Sequence, residues 1–390
     1  MPLPSSGPLS LNDIQTEFGG TNPISLNEYY AGGGRVPAGA TGTFGPVPSS
    51  GAISVQNFYG TSAYTPIYVQ EVFSTLLYTG NNTNFTYRVN NINLSGKGGM
   101  VWIKSRSTFN NHNASDTVRG ANQRLNPNRT FGQQSGGTVS EFISSGFRVD
   151  ADTLGEVNAA GVNYVSWTFR EEPKFFDVVT YTGNGTSGRQ ISHSLGSAPG
   201  FIVIKRLNPD NSWIAYHRIL GATKYIVLNS ADPQSSFVGY WNNTEPTSTV
   251  FTLGNSSDVN GSGGTFVAYL FAHNAGGFGP TGTDNIISCG SYTGNGSAVG
   301  PTVTLGYEPQ WVMIKDADVP GGSGGWQMLD AARGIATPGQ DKVLVANSDI
   351  VEVDEQAIAT TATGFQVETS NDKFNRSGST FIYIAIRKAA

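Results

Sequence analysis

The sequence predicts a mainly β fold: tandem β-sandwich-like domains in three repeats, preceded by a short helical, Gly/Pro-rich N-terminal segment. The 390 residues include 50 glycines and only 13% are charged, a composition that favours strands joined by tight turns over long surface helices. Runs such as FFDVVTYT and FVAYLF are β-branched and aromatic and are bounded by Gly, Asn or Pro, as buried strands are. A unit of about 100 residues, the size of a small domain, also recurs along the chain.

The N-terminal segment, residues 1–64, contains three copies of one helix-start pattern. In each copy a serine follows an apolar residue, and a side chain that can accept a hydrogen bond stands three positions later. The serine oxygen can accept a hydrogen bond from the first helical turn, while the later side chain reaches back to the serine amide. The three pairs are Ser10 with Asp13, Ser25 with Glu28, and Ser54 with Asn57. Glycines follow each pattern closely, so the helices are expected to be one or two turns long.

Helices this short are marginal in water unless their apolar faces are covered. Two interpretations remain open: the three turns pack on one another or on the next domain, or they form an attachment or oligomerisation module whose partner is another chain. The side chains of the predicted docking surface are Leu11, Ile14, Phe18, Leu26, Tyr29, Tyr30, Val55, Phe58 and Tyr59.

The larger repeat predicts three β-sandwich domains, at residues 65–174, 175–277 and 278–390. Each unit contains a YTGN phrase, then a run that ends in Ile-Lys, and closes on an apolar run. These runs are apolar at nearly every position, which indicates strands buried on both faces or the core of a sandwich. The GNG turns at 183–185 and 294–296 are typical of hairpins, because Gly and Asn tolerate positive φ.

An aspartate and an arginine three residues apart recur in two units, as Asp116 with Arg119 and Asp330 with Arg333. This spacing predicts a local ion pair or a contact within one helical turn. An ion pair that recurs across duplicated domains is more often structural than catalytic, so we interpret both pairs as structural.

No motif predicts an enzyme. GNGTSG at 183–188 fits the dinucleotide fingerprint, but the strand-like RQISHSLG follows it, whereas that fingerprint needs a helix. GGSGG at 321–325 fits the G-x-S-x-G pattern, yet a flexible loop cannot hold Ser323 as the strained turn of a nucleophile does. The four histidines show no spacing that suits a metal. We therefore expect no enzymatic activity, no cofactor and no metal site.

Composition also narrows the range of partners. The net charge is −5 and no basic cluster is present, which disfavours nucleic-acid binding because neutralising phosphates needs local Lys and Arg. The single cysteine, Cys289, leaves no disulfide within the chain. Residues 1–20 lack the features of a secretory signal, and no apolar stretch reaches the length of a membrane helix. These features predict a protein made in a cytoplasm, without membrane insertion.

Aromatic residues in polar surroundings suggest one binding surface. Tyr240 and Trp241 lie in the loop PQSSFVGYWNNTEP, where exposure is expected, and flat rings beside Asn and Asp suit stacking on sugar faces. Trp213 and Tyr216, in SWIAYH, are favoured as core residues instead. The prediction is weak carbohydrate binding through Tyr240 and Trp241.

These phrases together resemble virion proteins of tailed bacteriophages, notably marine and cyanobacterial phages. The resemblance is carried by LSLNDIQTEFGGTNPISLNEYYAGG at 9–33, by SGAISVQNFYG at 50–60, and by MVWIKSRS and DTVRGANQRL in the first long unit. The larger unit is similar to an uncharacterised domain of phage tail and fibre proteins. The resemblance spans nearly the whole chain, and the third repeat departs most from the pattern.

The resemblance implies a structural protein of the virion, assembled in the bacterial cytoplasm. Its first implication is a tail fibre or tail-tip appendage, attached by its N-terminus and projecting its β-domains towards the host. The alternatives are a decoration protein on the capsid or neck that stabilises the particle, and a polysaccharide-degrading tailspike enzyme. Expected partners are other virion proteins of the tail, baseplate or neck, copies of the chain itself as a homotrimer, and a host surface glycan.

Overall fold

A computed structural model describes residues 2–37, 39–63, 66–319, 324–335 and 341–389. Strands account for 37% of the residues and helices for 10%, which confirms a mainly β protein with several sheets. The chain divides into two compact units: the N-terminal unit, residues 1–68 with 277–284, and the β body, residues 69–276 with 285–390. Among the described residues, no helix is long and apolar enough to cross a membrane.

The N-terminal unit contains three helical turns, each beginning after one of the three serines. They are helix α1 (Leu11–Phe18) and two 3-10 helices, Leu26–Glu28 and Val55–Phe58, and a small ribbon pairs β1 (Thr41–Gly42) with β2 (Gly45–Pro46). At α1 the Asp13 amide donates to Ser10 Oγ at 3.2 Å, and the Ser10 amide donates to Asp13 Oδ2 at 2.8 Å. Only α1 is an α-helix, because the glycine-rich chain leaves room for a single turn at the other two.

An aromatic cluster joins the three turns. Phe58 lies edge-on to Phe18 and to Tyr29, with ring centroids 6.1 Å and 6.3 Å apart. Ile14, Tyr29 and Phe58 are completely buried, and the cluster also includes Leu3, Val36 and Val47. The turns therefore pack on one another, which is the first of the two interpretations left open by the sequence.

The β body consists of three consecutive segments of strands. The first contains β3 (Phe73–Thr79), β4 (Thr86–Val89), β5 (Gly99–Ser105), β6 (Asn113–Asp116), β7 (Gln123–Arg124), β8 (Gln134–Ser135), β9 (Val139–Ile143), β10 (Gly146–Val149) and β11 (Asn163–Arg170). The second contains β12 (Phe176–Thr182), β13 (Arg189–Ser192), β14 (Phe201–Arg206), β15 (Trp213–His217), β16 (Lys224–Val227), β17 (Ser235–Ser236), β18 (Val250–Leu253) and β19 (Thr265–Phe271).

The third segment and the short helices complete the β body. The strands are β20 (Ile287–Thr293), β21 (Thr302–Thr304), β22 (Pro309–Asp316), β23 (Gln327–Asp330), β24 (Asp341–Val345), β25 (Val353–Glu355), β26 (Ile358–Thr361), β27 (Gly364–Val367) and β28 (Thr380–Arg387). The helices are α2 (Leu94–Lys97), α3 (Val238–Trp241), α4 (Ser257–Asn260) and α5 (Asp372–Asn375), with 3-10 turns at Val69–Glu71 and Ala331–Arg333.

Each segment builds one large antiparallel sheet. Sheet A has the order β3-β11-β5-β6, sheet B the order β12-β19-β14-β15-β16-β17, and sheet C the order β20-β28-β22-β23-β24-β25. In each, the first and last long strands of the segment pair side by side. Three smaller sheets, β4-β10-β9, β13-β18 and β21-β27-β26, accompany A, B and C, and β7 pairs with β8.

The GNG turns connect strands of different sheets. Residues 183–188 join β12 of sheet B to β13, which pairs with β18 in the small sheet. Residues 294–296 likewise join β20 of sheet C to β21. The hairpin prediction is therefore wrong, because the chain passes from one sheet to another at each of these turns.

One face of each large sheet packs on its own small sheet. In sheet A, Val101 and Ile103 of β5 contact a core that includes Phe147 and Val149 of β10 and Tyr164 of β11. Sheet C repeats this arrangement with Val312 and Ile314 of β22 and with Phe365 and Val367 of β27. Because side chains alternate along a strand, this packing accounts for every second residue only.

The other face of each large sheet points to a centre shared by all three. Trp102 of β5 lies edge-on to Trp167 of β11, with centroids 6.1 Å apart, and Phe169 meets Phe271 and Trp311 at 5.5 Å and 5.9 Å. The centre encloses an apolar cavity of about 20 Å³, far below the roughly 300 Å³ of a small-molecule site. The long strands are buried on both faces, which explains runs that are apolar at nearly every position.

Three polar contacts link the sheets in one direction around this centre. Each joins the end of the fourth strand of one segment to the long last strand of the next. From A to B, Asp116 Oδ2 accepts from Tyr269 OH at 2.7 Å; from B to C, His217 Nε2 donates to Tyr383 O at 3.2 Å; and from C to A, Asp330 Oδ2 accepts from Trp167 Nε1 at 3.0 Å. Every sheet is thereby bonded to both others.

The two recurring Asp–Arg pairs form buried ion pairs at these contacts, as predicted. Arg119 Nε lies 2.5 Å from Asp116 Oδ2, and Arg333 Nε lies 2.6 Å from Asp330 Oδ2. The side chains of Asp330 and Arg333 are completely buried, and Arg333 also donates to the Met328 carbonyl at 3.0 Å. Their role in the fold is to hold sheet contacts together away from water.

A buried lysine follows the apolar residues of one strand in each large sheet: β5 in sheet A, β14 in sheet B and β22 in sheet C. Burial lowers the pKa of Lys104, Lys205 and Lys315 to about 8 in each case. Their Nζ atoms donate to backbone carbonyls, and Lys205 reaches Thr130 O in the first segment at 2.8 Å. These lysines therefore replace water as hydrogen-bond donors to the loops that surround the centre.

The first and last residues of the β body line one cleft. Gln70 and Ala389 both border a cleft of about 220 Å³, together with Asn90, Asn91 and Gln310. The two ends of the three-segment body are therefore neighbours.

Removing a carboxylate from the buried network should destabilise the β body strongly. Asp330→Ala removes the buried acceptor of both Arg333 Nε and Trp167 Nε1. Arg333 then keeps only Glu352, at 3.3 Å, as a charged partner. Breaking a buried pair in this way costs about 3–5 kcal/mol of unfolding free energy. The control is Asp372→Ala, because Asp372 is 55% exposed and bonds Arg376 across one helical turn, a contact worth less than about 1 kcal/mol. Equal losses for the two variants in denaturant unfolding would contradict this account.

The His217 contact should make stability depend on pH. The Ile219 amide donates to His217 Nδ1 at 3.3 Å, so the ring proton lies on Nε2, and burial lowers the pKa of His217 to about 3. Between about pH 6.5 and 3 the unfolded chain binds a proton that the folded chain does not, so the unfolding free energy falls as pH falls.

His217→Gln keeps a donor for the Tyr383 carbonyl and removes the titration. From pH 7 to pH 5 the wild type should lose about 2 kcal/mol more unfolding free energy than this variant. Parallel pH profiles of the two proteins in denaturant unfolding would refute the assignment of His217 as a neutral buried donor.

Candidate functional site

The predicted docking surface of the N-terminal unit is only partly accessible. The prediction is wrong for Ile14, Phe18, Tyr29 and Phe58, which are buried in the aromatic cluster because the three short turns cover one another. The remaining residues are half-buried: Leu11, Leu26, Tyr30, Val55 and Tyr59. Leu11, Leu26 and Val55 also pack against the cluster.

An open groove lies beside two of the half-buried docking residues, Val55 and Tyr59, and the exposed ring of Phe44. Phe44, Val55 and Tyr59 line this groove of about 470 Å³ with Ser6, Gly7 and Gln56. Phe44 is 57% exposed, and its ring centroid lies 5.8 Å from that of Tyr59, whose hydroxyl donates to the Gly7 carbonyl at 2.6 Å. Sequence reasoning missed Phe44, although its place in the loop TGTFGP leaves it no apolar neighbours to be buried against.

The exposure predicted for Tyr240 and Trp241 is wrong. They form the end of α3 and are 8% and 2% exposed. Tyr240 packs edge-on against Tyr225 and Phe237 at 4.6 Å and 4.9 Å, and its hydroxyl donates to Asp258 Oδ2 at 2.8 Å. One helical turn buries both rings, so neither presents a face on which a sugar could stack.

Trp241 instead supports one wall of a polar cleft in the β body. Its ring lies edge-on to Tyr216, with centroids 5.7 Å apart. The Tyr216 hydroxyl donates to Glu245 Oε2 at 2.6 Å, and the Ala222 amide donates to Glu245 Oε1 at 2.7 Å. Both residues line a cleft of about 360 Å³. The Glu245 carboxylate is therefore held in place at the cleft by a donor on each oxygen.

Arg218 brings a positive charge to the same cleft. It follows β15 directly and is exposed. Within the described part of the chain, its guanidinium forms no ion pair and no hydrogen bond. The nearby Glu245 oxygens already accept hydrogen bonds from Tyr216 and the backbone. The guanidinium is therefore available to a ligand.

His273, which follows β19, also lines this cleft. The Cys289 amide donates to His273 Nδ1 at 3.0 Å, which leaves the ring proton on Nε2. Burial and, to a smaller extent, the charge of Arg218 lower the pKa of His273 to about 4. At neutral pH the ring is an uncharged donor. Gly200 permits its close approach, since a Cβ there would lie 2.7 Å from the His273 Cβ.

The rest of the cleft wall is apolar apart from one hydroxyl. Ser197 Oγ is buried and has no hydrogen-bond partner among the residues that the structure describes. Ala198, Pro199, Pro246 and Ala275 provide carbon surface. The cleft thus combines one free cation, one fixed carboxylate, two neutral donors and an apolar wall.

The sequence analysis did not predict this cleft, although the three long units, when aligned, differ at a residue that lines it. Arg218 stands in HRILG, where the other units have DTVRG and DAARG, so the equivalent positions hold Thr117 and Ala331. A charged residue present in one unit only is the feature that marks the position.

The structure describes one of the two sequence motifs that were interpreted as non-catalytic, and it describes the surroundings of most possible metal ligands. GNGTSG at 183–188 is followed by strand β13, whereas the dinucleotide fingerprint is followed by a helix. Ser323 of GGSGG lies outside the described residues. No group of three or more His, Cys, Asp or Glu side chains in the described ranges could hold a metal ion.

Comparisons with known proteins identify a family over the β body. A family model described as Domain of unknown function (DUF7483) matches residues 69–389. No curated protein and no solved structure matches the chain.

Burial of Trp241 predicts a loss of stability when it is truncated. Trp241→Ala should lower the unfolding free energy by about 3–5 kcal/mol, as removal of a buried large aromatic does. The neighbouring Val238→Ala, at a position that is 53% exposed, should change it by less than about 0.5 kcal/mol. Denaturant unfolding measures both, and a stable Trp241→Ala variant would contradict the buried placement.

Proposed function

We propose that this chain, which belongs to the DUF7483 family over residues 69–389, is a structural protein of tailed-bacteriophage particles. Within the particle we place it in a tail fibre or tail-tip appendage. The support is the resemblance of residues 9–60 and 100–220 to virion proteins, together with a β-rich body. The family description assigns no function. The proposal therefore depends on the resemblance, which covers residues before Val69 as well as residues within the family domain.

The β body supports a proposal that it derives from three copies of one sandwich unit. Sheets A, B and C share their strand order through the first four strands, and each has its own small sheet. The three copies pack around one centre, so they form a single body and not three independent domains. A homotrimer of the whole chain stays a prediction drawn from the resemblance.

Attachment through the N-terminal unit is the second part of the proposal. The observation that carries it is that this unit has its own apolar core and still leaves Phe44 exposed in an open groove beside Val55 and Tyr59. An exposed aromatic ring beside two half-buried apolar side chains is a typical anchor position for a partner protein. The partner would be another virion protein.

The test introduces a charge into this groove. In infected cells, a tagged Phe44→Asp chain should enter purified particles at least about tenfold less than wild type, because burying an unpaired carboxylate in an interface costs several kcal/mol. Val299→Asp is the matched control, since Val299 of the β body is 71% exposed and lies outside the groove. Both variants should melt like the wild type.

Two results would count against the proposal, and they are distinguishable. Equal incorporation of Phe44→Asp and Val299→Asp would refute attachment through the groove. Absence of the wild-type protein from purified particles would refute the virion role itself.

A further inference from the structure

We propose that the cleft around Arg218 binds a sugar acid, that is, a monosaccharide unit that carries one carboxylate. Such binding would be a property of the cleft alone, in addition to the proposed virion role. It also replaces the predicted sugar site at Tyr240 and Trp241, whose rings are buried.

The first step is the free cation. Arg218 is exposed at the end of β15, and within the described residues its guanidinium has no anionic partner. A planar guanidinium offers paired N–H donors that match a carboxylate in geometry. Beside it, the neutral His273 offers Nε2–H as a second donor, because Nδ1 already accepts from the Cys289 amide.

The second step is the fixed acceptor. Glu245 lies in the same cleft, and its two oxygens accept from the Tyr216 hydroxyl and the Ala222 amide. A carboxylate oxygen has lone pairs left for ligand hydroxyls after accepting one bond. The same negative charge disfavours a ligand with two negative charges, so the cleft suits a monoanion with hydroxyl groups.

The volume of the cleft and its apolar wall also suit a sugar acid. The cleft of about 360 Å³ falls in the range of roughly 300–1,000 Å³ that holds small ligands. Pro199 and Pro246 provide carbon surface for the C–H face of a ring, and Ser197 Oγ is an unpaired hydroxyl at the wall. A sugar acid supplies the carboxylate, the hydroxyls and the apolar face that these groups call for.

The other two segments provide an internal comparison. At the position of Arg218 they have Thr117 and Ala331, and at the position of His273 they have Glu171 and Lys388. Burial raises the pKa of Glu171 to about 7, and its carboxylate lies 3.4 Å from the Thr117 hydroxyl. The pairing of a free arginine with a neutral histidine is therefore particular to the second segment.

The experiment is a titration of the full chain with defined sugars. The probes are methyl glucuronide, methyl galacturonide and N-acetylneuraminate, and the neutral reference is methyl glucoside. At least one acid should bind about tenfold or more tightly than the glucoside, as a charge-assisted hydrogen bond of about 1.5–3 kcal/mol implies. Acetate, which has the charge without the ring, should bind at least about tenfold more weakly than that acid.

Two variants test the residue assignment. Arg218→Gln should reduce binding of the acid to the level of the glucoside while the melting temperature stays unchanged, since the side chain has no partner within the described structure. Arg129→Gln is the control, because Arg129 is an arginine that is 45% exposed and paired with Asp349 outside the cleft, and it should bind as the wild type does.

The outcomes separate cleanly. Equal binding of acids and glucoside, or acid binding that survives Arg218→Gln, would overturn the proposal. Acetate that binds as tightly as every sugar acid would show that the site reads charge only, and would overturn the sugar assignment. Because binding is measured on the isolated chain, these results are independent of particle incorporation.

Discussion

The need to bury both faces of its long strands is the constraint on which the β body depends. A sheet covered on one side by a small partner sheet still exposes its other side, and here that side is rich in Trp, Phe, Met and Ile. Three such sheets cover one another around a closed apolar centre. At roughly 25 cal/mol per Å² of apolar surface removed from water, this shared centre contributes more than any single polar contact. Removing one sheet would expose the inner faces of the other two.

Polar groups at this centre then specify how the sheets meet. Tyr269 and Trp167 donate to buried aspartates, and His217 donates to a backbone carbonyl of the next sheet. Buried polar groups are costly when unpaired, so each contact penalises any other arrangement of the sheets. The polar group offered to a ligand lies at the rim of this centre. Arg218 is one residue beyond the buried His217.

Much of the secondary structure followed from the sequence, because strand runs and capping serines are local signals. The Asp–Arg spacing also predicted a local contact correctly, since three residues determine it. What covers a given apolar face is decided by residues far away in sequence. Tyr240 and Trp241 have polar neighbours in the chain, yet Tyr225, Tyr216 and Phe237 cover them in space. The same limit applied to Phe58, whose cover comes from α1 and Tyr29. It applied also to Arg218, because the lack of a partner for its guanidinium among the described residues is a property of the folded surface.

Because the two ends of the β body are neighbours, the same packing of sheets is compatible with more than one order of the segments along the chain. Gln70 and Ala389 border one cleft, and each sheet contacts both others, so the contacts between the sheets form a closed cycle. A circular permutant of the body that joined residues 389 and 69 and opened between β11 and β12 would bury the same surfaces. In the natural order, the Trp167–Asp330 contact spans 163 residues; in the permuted order, sheets C and A would be consecutive and A and B distant. Folding rates follow the sequence separation of native contacts, so the permutation would redistribute contact order around an unchanged core.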